Sequence, residues 1–225
     1  SCNSGHDIAQ DYLEKGYDVT IVQRSSTHVV SSKAITDIAL KGIYSEDGPE
    51  VDDADLLIHG LPTPVLKAIQ VTVCEKQAEH DKEILDGLDK AGFKVDRGPD
   101  GSGLFFKYFQ RGGGYYIDVG CSKLIIDGKI KVRQCSDGIK NFDADRIALA
   151  DGSRLDADIV VLATGYDGMR STALRALGKK VADRLDDIWD LDEQGEIRSV
   201  SLLLNAMSRT KLTLYRCGDP VVTLI

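Results

Sequence analysis

The chain has 225 residues, a formal net charge of −8 at neutral pH, 42% hydrophobic and 28% charged residues. That length allows a substantial core in one large or two small domains, and the acidity disfavours a general nucleic-acid or anionic-membrane surface. No apolar run approaches the ~20 residues that span a bilayer. The five cysteines are irregularly spaced and make neither a disulfide framework nor a zinc pattern, so a reduced, cytoplasmic setting is expected.

The first 24 residues organise the rest. Asn3-Ser4-Gly5 opens a helix whose apolar positions Ile8, Ala9, Tyr12 and Leu13 recur at helical spacing. Gly16 releases it, and Tyr17 to Gln23 is a β-rich run ending at Arg24. This is most of a dinucleotide-binding βαβ unit without its first strand and first glycine; the sequence reads as starting inside the phosphate-binding loop. A helix N-terminus has unpaired N–H groups and a positive dipole end, so it can hold a pyrophosphate. Gly5 fits the third fingerprint glycine, needed for close helix–strand packing. The acidic residue that would bind a ribose 2′-hydroxyl is absent, and Gln23, Arg24, Ser25 and Ser26 stand in its place. A guanidinium and hydroxyls suit a 2′-phosphate, hence NADPH over NADH. The plainer alternative, a turn and helix cap followed by an ordinary surface arginine, stays open at this point.

A polar loop follows, then Val29-Val30-Ser31-Ser32, a short segment expected near the nucleotide. Lys33 to Leu40 reads as a short helix, and Ser45 to Asp55, with a Gly-Pro pair and many carboxylates, as a solvated excursion. Pro62 and Pro64 open a helical region through Val65, Leu66, Ile69 and Val73. A firmer helix is expected from Lys76 to Ala91, with Gly92 as its stop. Phe93 to Arg97 and Tyr115 to Gly120 read as extended. Between them, two glycine clusters flank the aromatic run Leu104 to Phe109, which reads either as a channel wall or as sheet–helix packing. From Lys129 the pattern turns to strands, with Asp151-Gly152 as a hairpin turn. Asp158 to Ala163 is continuously apolar after its first residue and reads as a central strand covered on both faces, ended by Thr164-Gly165-Tyr166. Short helices are expected over 171–177 and 181–188, with a polar turn over 192–195. His6, His28, His59 and His80 are scattered and read as surface or capping residues.

Several blocks, in order, carry a resemblance. Asn3-Ser4-Gly5-His6-Asp7-Ile8-Ala9-Gln10-Asp11 resembles the NADPH-binding segment of flavin-containing monooxygenases. Val22-Gln23-Arg24-Ser25, the run from Gly98 to Gly103, the run from Gly112 to Gly120 and Leu162-Ala163-Thr164-Gly165-Tyr166 resemble blocks of a fungal and bacterial branch of that family, related to Baeyer–Villiger and plant auxin-forming enzymes. The resemblance covers roughly residues 1–200. It implies an α/β fold, a Rossmann-like three-layer NAD(P)-binding domain inserted in an FAD-binding domain and incomplete at its N-terminus. Residues 1–150 would form the NADPH domain, 151–200 a return segment to the FAD domain, and 201–225 a tail that departs from the family pattern. Asn3, Ser4 and Gly5 would face the NADPH pyrophosphate, Arg24 and Ser25 the 2′-phosphate, and Thr164, Gly165 and Tyr166 the junction near the flavin. The implied activity is hydride transfer from NADPH to FAD and delivery of one oxygen atom from O2 to a small organic substrate, with no side-chain catalyst assigned; a homo-oligomer is compatible with it. The missing FAD fingerprint makes monooxygenation by this stretch alone doubtful. Two rivals remain. A flavin disulfide reductase would need a redox Cys-x-x-Cys, which is absent. A non-catalytic nucleotide- or partner-binding remnant would carry no flavin.

Overall fold

In the computed structural model, which describes residues 2–185, 189–193, 195, 196 and 198, the opening segment folds as its periodicity dictates. Helix α1 (Asn3–Glu14) buries His6 and Ala9 and keeps Asp7, Asp11 and Glu14 in solvent. Gly16, at φ +89°, ends it in a backbone conformation that side chains resist. Strand β1 (Val19–Gln23) then pairs in parallel with β5 (Ile130–Gln134), Val19 opposite Ile130 and Gln23 opposite Gln134.

Val29 and Val30 lie in β2 (Thr27–Ser31), the middle strand of a second parallel sheet. Its neighbours are β3 (Val95–Asp96) and β4 (Tyr115–Asp118), in the order β3-β2-β4. All five β2 residues are buried, because the strand is covered on both faces. On one side Val29 joins a core shared by Ala9, Ile21, Leu88, Phe93, Tyr116 and Ile125. That core is built from α1, from α5 (Lys82–Lys90) and from α7 (Cys121–Ile126). On the other side, His28 meets Gly103, the first residue of α6 (Gly103–Arg111), beside Cys74 of α4 (Thr63–His80). Three further strands, β6 (Ile139–Phe142), β7 (Arg146–Leu149) and β8 (Arg154–Asp156), form an antiparallel sheet over a small core of Cys135, Ile147 and Leu149. The β7–β8 hairpin turns at Asp151-Gly152, as expected, with Ile147 opposite Leu155. The result is a mixed α/β fold consistent with a Rossmann-like nucleotide-binding domain.

Four expectations need correction or refinement. The helix expected over 76–91 is broken at Asp81, the joint between α4 and α5. Its buried carboxylate turns inward to accept the Ser31 N–H (2.6 Å) and hydroxyl (2.7 Å), tying the helix pair to the end of β2. The acidic excursion is indeed exposed, but from Val51 it is helical, as α3 (Val51–His59). The aromatic run is helix α6, in which the Phe109 ring packs edge-on with Phe105 (6.0 Å) and Phe106 (5.6 Å).

The fourth correction is the largest. Residues 158–163 form no strand. Ile159, Val160, Val161 and Leu162 are 60%, 41%, 49% and 63% exposed. The last sheet-like bond is from the Ala157 N–H to the Asp145 carbonyl (3.0 Å). Beyond it no described neighbour satisfies the backbone or covers either face, and apolar composition alone cannot make a strand. Helices α8 (Met169–Leu177) and α9 (Lys179–Ala182) follow. The turn over 192–195 is present, closed by the Gly195 N–H on the Asp192 carbonyl. The rest of the helix expected over 181–188 and the tail 201–225 lie partly or wholly outside the described residues.

Candidate nucleotide-binding site

The first turn of α1 is partly open to solvent, with Ser4 exposed and Asn3 and Gly5 half-buried. Cys2 precedes it in an extended conformation, no side chain caps it, and its first turn contains no acidic residue. Among the described residues, the earliest N–H to bond back is that of His6, to the Cys2 carbonyl (3.2 Å). The N–H groups of Asn3, Ser4 and Gly5 therefore have no intrahelical partner and stand at the positive end of the helix dipole. The side chains are divided. Asn3 Oδ1 accepts the Ile117 N–H (2.9 Å) and Cys2 Sγ the Gly114 N–H (3.2 Å), so both lash the loop to β4. Ser4 is exposed. What the turn offers an anion is thus backbone N–H groups and one hydroxyl, with the Asn3 amide committed to the scaffold.

Beneath this turn lies a group the sequence did not single out. His6 is fully buried and stacks on Tyr116, ring centroids 3.7 Å apart and planes 2° from parallel, with Phe93 edge-on at 5.3 Å. Its Nδ1 donates to the Cys2 carbonyl (2.9 Å), while Nε2 meets no partner among the described residues. Burial pushes the imidazole pKa below its ordinary value, against the opposing pull of the Cys2 carbonyl. The ring is a neutral packing element. The Tyr116 hydroxyl in turn accepts the N–H groups of Val119 and Cys121 (3.3 Å each), and burial drives the phenol pKa upward. Asp118 Oδ1 accepts from Gly120 (3.0 Å) and Ser122 (3.2 Å), starting α7. Burial pushes the Cys121 thiol up to about 12, so it is no nucleophile. One continuous network therefore fixes the start of α1, the end of β4 and the start of α7.

Arg24 and Ser25 follow β1. A helix of twelve residues rises about 18 Å and a five-residue strand about 16 Å, so a chain that turns back at Gly16 brings the end of β1 to the end where α1 starts. Gln23 explains why the next residues are free. Its buried amide donates to the Lys94 carbonyl (2.9 Å) and accepts the Lys94 N–H (2.8 Å) and Gln134 Nε2 (2.8 Å), joining both parallel sheets. Arg24 and Ser25 then emerge exposed, and Arg24 has no hydrogen bond or ion pair among the described residues. Its stem lies by Gly138, whose missing Cβ would stand 3.5 Å from Arg24 Cδ.

Thr164, Gly165 and Tyr166 sit in the exposed stretch after Ala157. Gly165 has φ +86°, Tyr166 is fully exposed, and no hydrogen bond ties the three to α1 or to Arg24. The glycine block 98–103 is a tight corner buried at Ser102 and Gly103 and exposed at Asp100. Gly98 has φ +73°, and a Cβ there would come within 2.5 Å of the Gly103 carbonyl oxygen. Beside it Lys107 pairs with Asp96 (2.7 Å). Burial pushes the Asp96 carboxyl up, but hydrogen bonds from Lys107, the Gly98 N–H and Ser26 outweigh this and hold it below the usual range. His28 is buried here, Nδ1 donating to the Asp96 carbonyl (3.1 Å) and Nε2 without a partner among the described residues. Two of the four histidines are therefore core residues, contrary to the surface reading. Their flanks, apolar at the following residues Ile8, Ala9, Val29 and Val30, were the only signal.

With this geometry in place, comparison with known proteins gives a consistent direction. The probable indole-3-pyruvate monooxygenase YUCCA10 of Arabidopsis thaliana is 30% identical over 166 residues, 73% of this chain and 35% of that protein. The chain is a distant relative of plant monooxygenases. YUCCA8 and YUCCA3 of the same plant, also named as probable indole-3-pyruvate monooxygenases, are 27% and 29% identical, each over 73% of this chain. The chain spans about a third of the length of these curated relatives, at 32–35%. No protein-family model matches it.

Proposed function

We propose that this chain is the NADPH-binding part of a flavin-dependent monooxygenase, an oxidoreductase acting on a small organic substrate with O2. The observation that carries the reading is a first turn of α1 whose N–H groups are uncapped among the described residues, together with Arg24, unpaired among the same residues, at the same end of the β1–α1 unit. The similarity to monooxygenases supports oxidoreductase chemistry at the superfamily level. These residues fit NADPH. The N–H groups of Asn3, Ser4 and Gly5 and the Ser4 hydroxyl bind the pyrophosphate. Arg24, with Ser25, binds the 2′-phosphate through charge-assisted hydrogen bonds. The Cys2 and Asn3 side chains hold the turn in position against β4, and the His6–Tyr116 stack supports it from below. When bound, NADPH supplies the hydride. The residues assigned to the flavin junction do not make a comparable fit: an exposed Tyr166 on an unpaired segment offers no wall to an isoalloxazine. FAD belongs in this reading to the whole protein, as does the division at residue 150.

The test is a fluorescence titration of the 225-residue chain with NADPH and NADH, repeated with Arg24→Ala. NADPH should bind more tightly than NADH. Arg24→Ala should weaken NADPH by about tenfold or more, the size of one lost charged hydrogen bond, and leave NADH unchanged. Equal binding of the two nucleotides, or an Arg24→Ala variant with undiminished NADPH affinity, overturns the assignment. A second reading, a non-catalytic partner-binding remnant, is favoured by the bare run Ile159–Leu162. Purified protein that binds neither NADPH nor NADH would support it.

A further inference from the structure

Helix α3 is under-covered. Of its nine residues only Ala54 is buried, while Leu56 and Leu57 are 69% and 60% exposed. The exposed apolar line continues through Leu61, Val65 and Ile69 into the first turns of α4, which meets α3 at 98°. Large apolar side chains exposed together over two adjoining helices mark a contact. Its rim is acidic: Glu46, Asp47, Glu50, Asp52, Asp53 and Asp55 are all exposed, and no lysine or arginine lies between Lys41 and Lys67. An apolar strip edged by carboxylates fits a leucine-rich, basic partner. The same charge opposes an anionic bilayer.

The chain carries such a segment, and the described residues lead to it. Residues 199–216 include Leu202, Leu203, Leu204, Leu212 and Leu214 with Arg209, Lys211 and Arg216, and no carboxylate occurs before Asp219. The stretch just before is anchored at two points. The Asp190 N–H donates to the Phe109 carbonyl (2.9 Å), with Trp189 against Tyr108, and the Glu196 carboxylate accepts the Thr63 N–H (3.1 Å) and hydroxyl. Thr63 lies between Leu61 and Val65, so the chain is delivered to the strip itself. Eighteen residues reach up to ~60 Å when extended, several times the ~13 Å length of α3.

We propose that residues 199–216 cover the apolar strip of α3 and early α4, their leucines against Leu57, Leu61 and Val65 and their basic side chains against the acidic rim. The test is zero-length carbodiimide cross-linking of a mixture of isotopically light and heavy full-length chain, mapped by mass spectrometry. The exposed Lys67–Asp100 ion pair, at 2.6 Å, is the internal control. The expected result is Lys211 joined to Asp52, Asp53 or Asp55 within one molecule, with a yield that falls at least about fivefold in Leu57→Glu/Leu61→Glu. Leu202→Ser/Leu203→Ser/Leu204→Ser should raise the fluorescence of a hydrophobic dye about threefold or more by uncovering the strip. Mixed-isotope cross-links would overturn the proposal in favour of a second copy as occupant. A Lys67–Asp100 cross-link with none from Lys211 to this acidic stretch would overturn it too, and co-sedimentation of the wild-type chain with neutral vesicles would assign the strip to a lipid surface instead.

Discussion

Thr27-His28-Val29-Val30-Ser31 and Asp158-Ile159-Val160-Val161-Leu162 differ in the direction opposite to their hydropathy. The first carries a histidine, a threonine and a serine, and every residue is buried. The second is apolar from its second residue on, and its side chains stand 41–63% exposed over residues 159–162. Each polar side chain of β2 has a hydrogen-bond partner, Gln23 Nε2 donating to the Thr27 hydroxyl (3.2 Å), although His28 Nε2 meets none among the described residues. Asp81 takes the Ser31 hydroxyl, and the Asp96 carbonyl takes His28 Nδ1. Strands β3 and β4 pair with both of its edges, and helices cover both faces. The second run has none of these neighbours among the described residues. Burial is a property of what surrounds a strand; side-chain hydropathy only makes it favourable.

The comparison can be broken at the core that shelters β2. Tyr116→Ala removes the ring on which His6 stacks and the acceptor for two N–H groups, and should destabilise the protein by about 3–5 kcal/mol in urea unfolding. A change below ~1 kcal/mol would mean that this core is not close-packed. Asp96→Asn leaves Lys107 charged in a nearly buried place and should cost about 3 kcal/mol in the same assay, toward the lower end for such pairs because the Lys107 and Asp96 side chains keep 11% and 22% exposure. Gly98→Ala should lose about 2 kcal/mol, from a left-handed backbone and a Cβ pressed on Gly103.

Acidification gives a smaller, graded test. Burial lowers the folded-state pKa of both His6 and His28 below 6.5, so above that pH both rings are neutral in folded and unfolded chains alike. As the pH drops below 6.5 the unfolded chain takes up protons that the folded chain refuses, and stability should decline, by at most about 1.4 kcal/mol per pH unit for each ring. Stability that is flat from pH 7 to 5 would show the rings to be hydrated. The smallest effect sharpens the contrast itself. Ile159→Ser/Val161→Ser should change stability by less than about 0.5 kcal/mol, as at an ordinary surface; a larger loss would show that this run is packed in solution.

The opening of the chain was legible because its signals are local. The spacing of Ile8, Ala9, Tyr12 and Leu13, the release at Gly16 and the Asp151-Gly152 turn each act within a few residues, and α1, β1 and the β7–β8 hairpin form where those signals lie. The first turn of α1 and Arg24 are both exposed to solvent at least in part, at Ser4 and at the guanidinium-bearing residue itself. The Asn3 side chain is diverted to β4 by a residue 114 positions away, which no spacing rule reaches. The break at Asp81 and the buried rings of His6 and His28 were illegible for the same reason. Each depends on a distant partner: Ser31 for Asp81, Tyr116 for His6, Asp96 and Gly103 for His28.

By itself, then, the sequence determined local elements of this protein: where α1 starts, where Gly16 releases it, and where the β7–β8 hairpin turns. Those follow from backbone sterics and short-range hydrogen bonding, which are written residue by residue. The tertiary structure alone decided which apolar strand is covered, which histidines are stripped of water and which polar side chains are left free for a ligand. Burial and hydrogen-bond satisfaction are shared between residues far apart in the chain, and only the assembled neighbours set them.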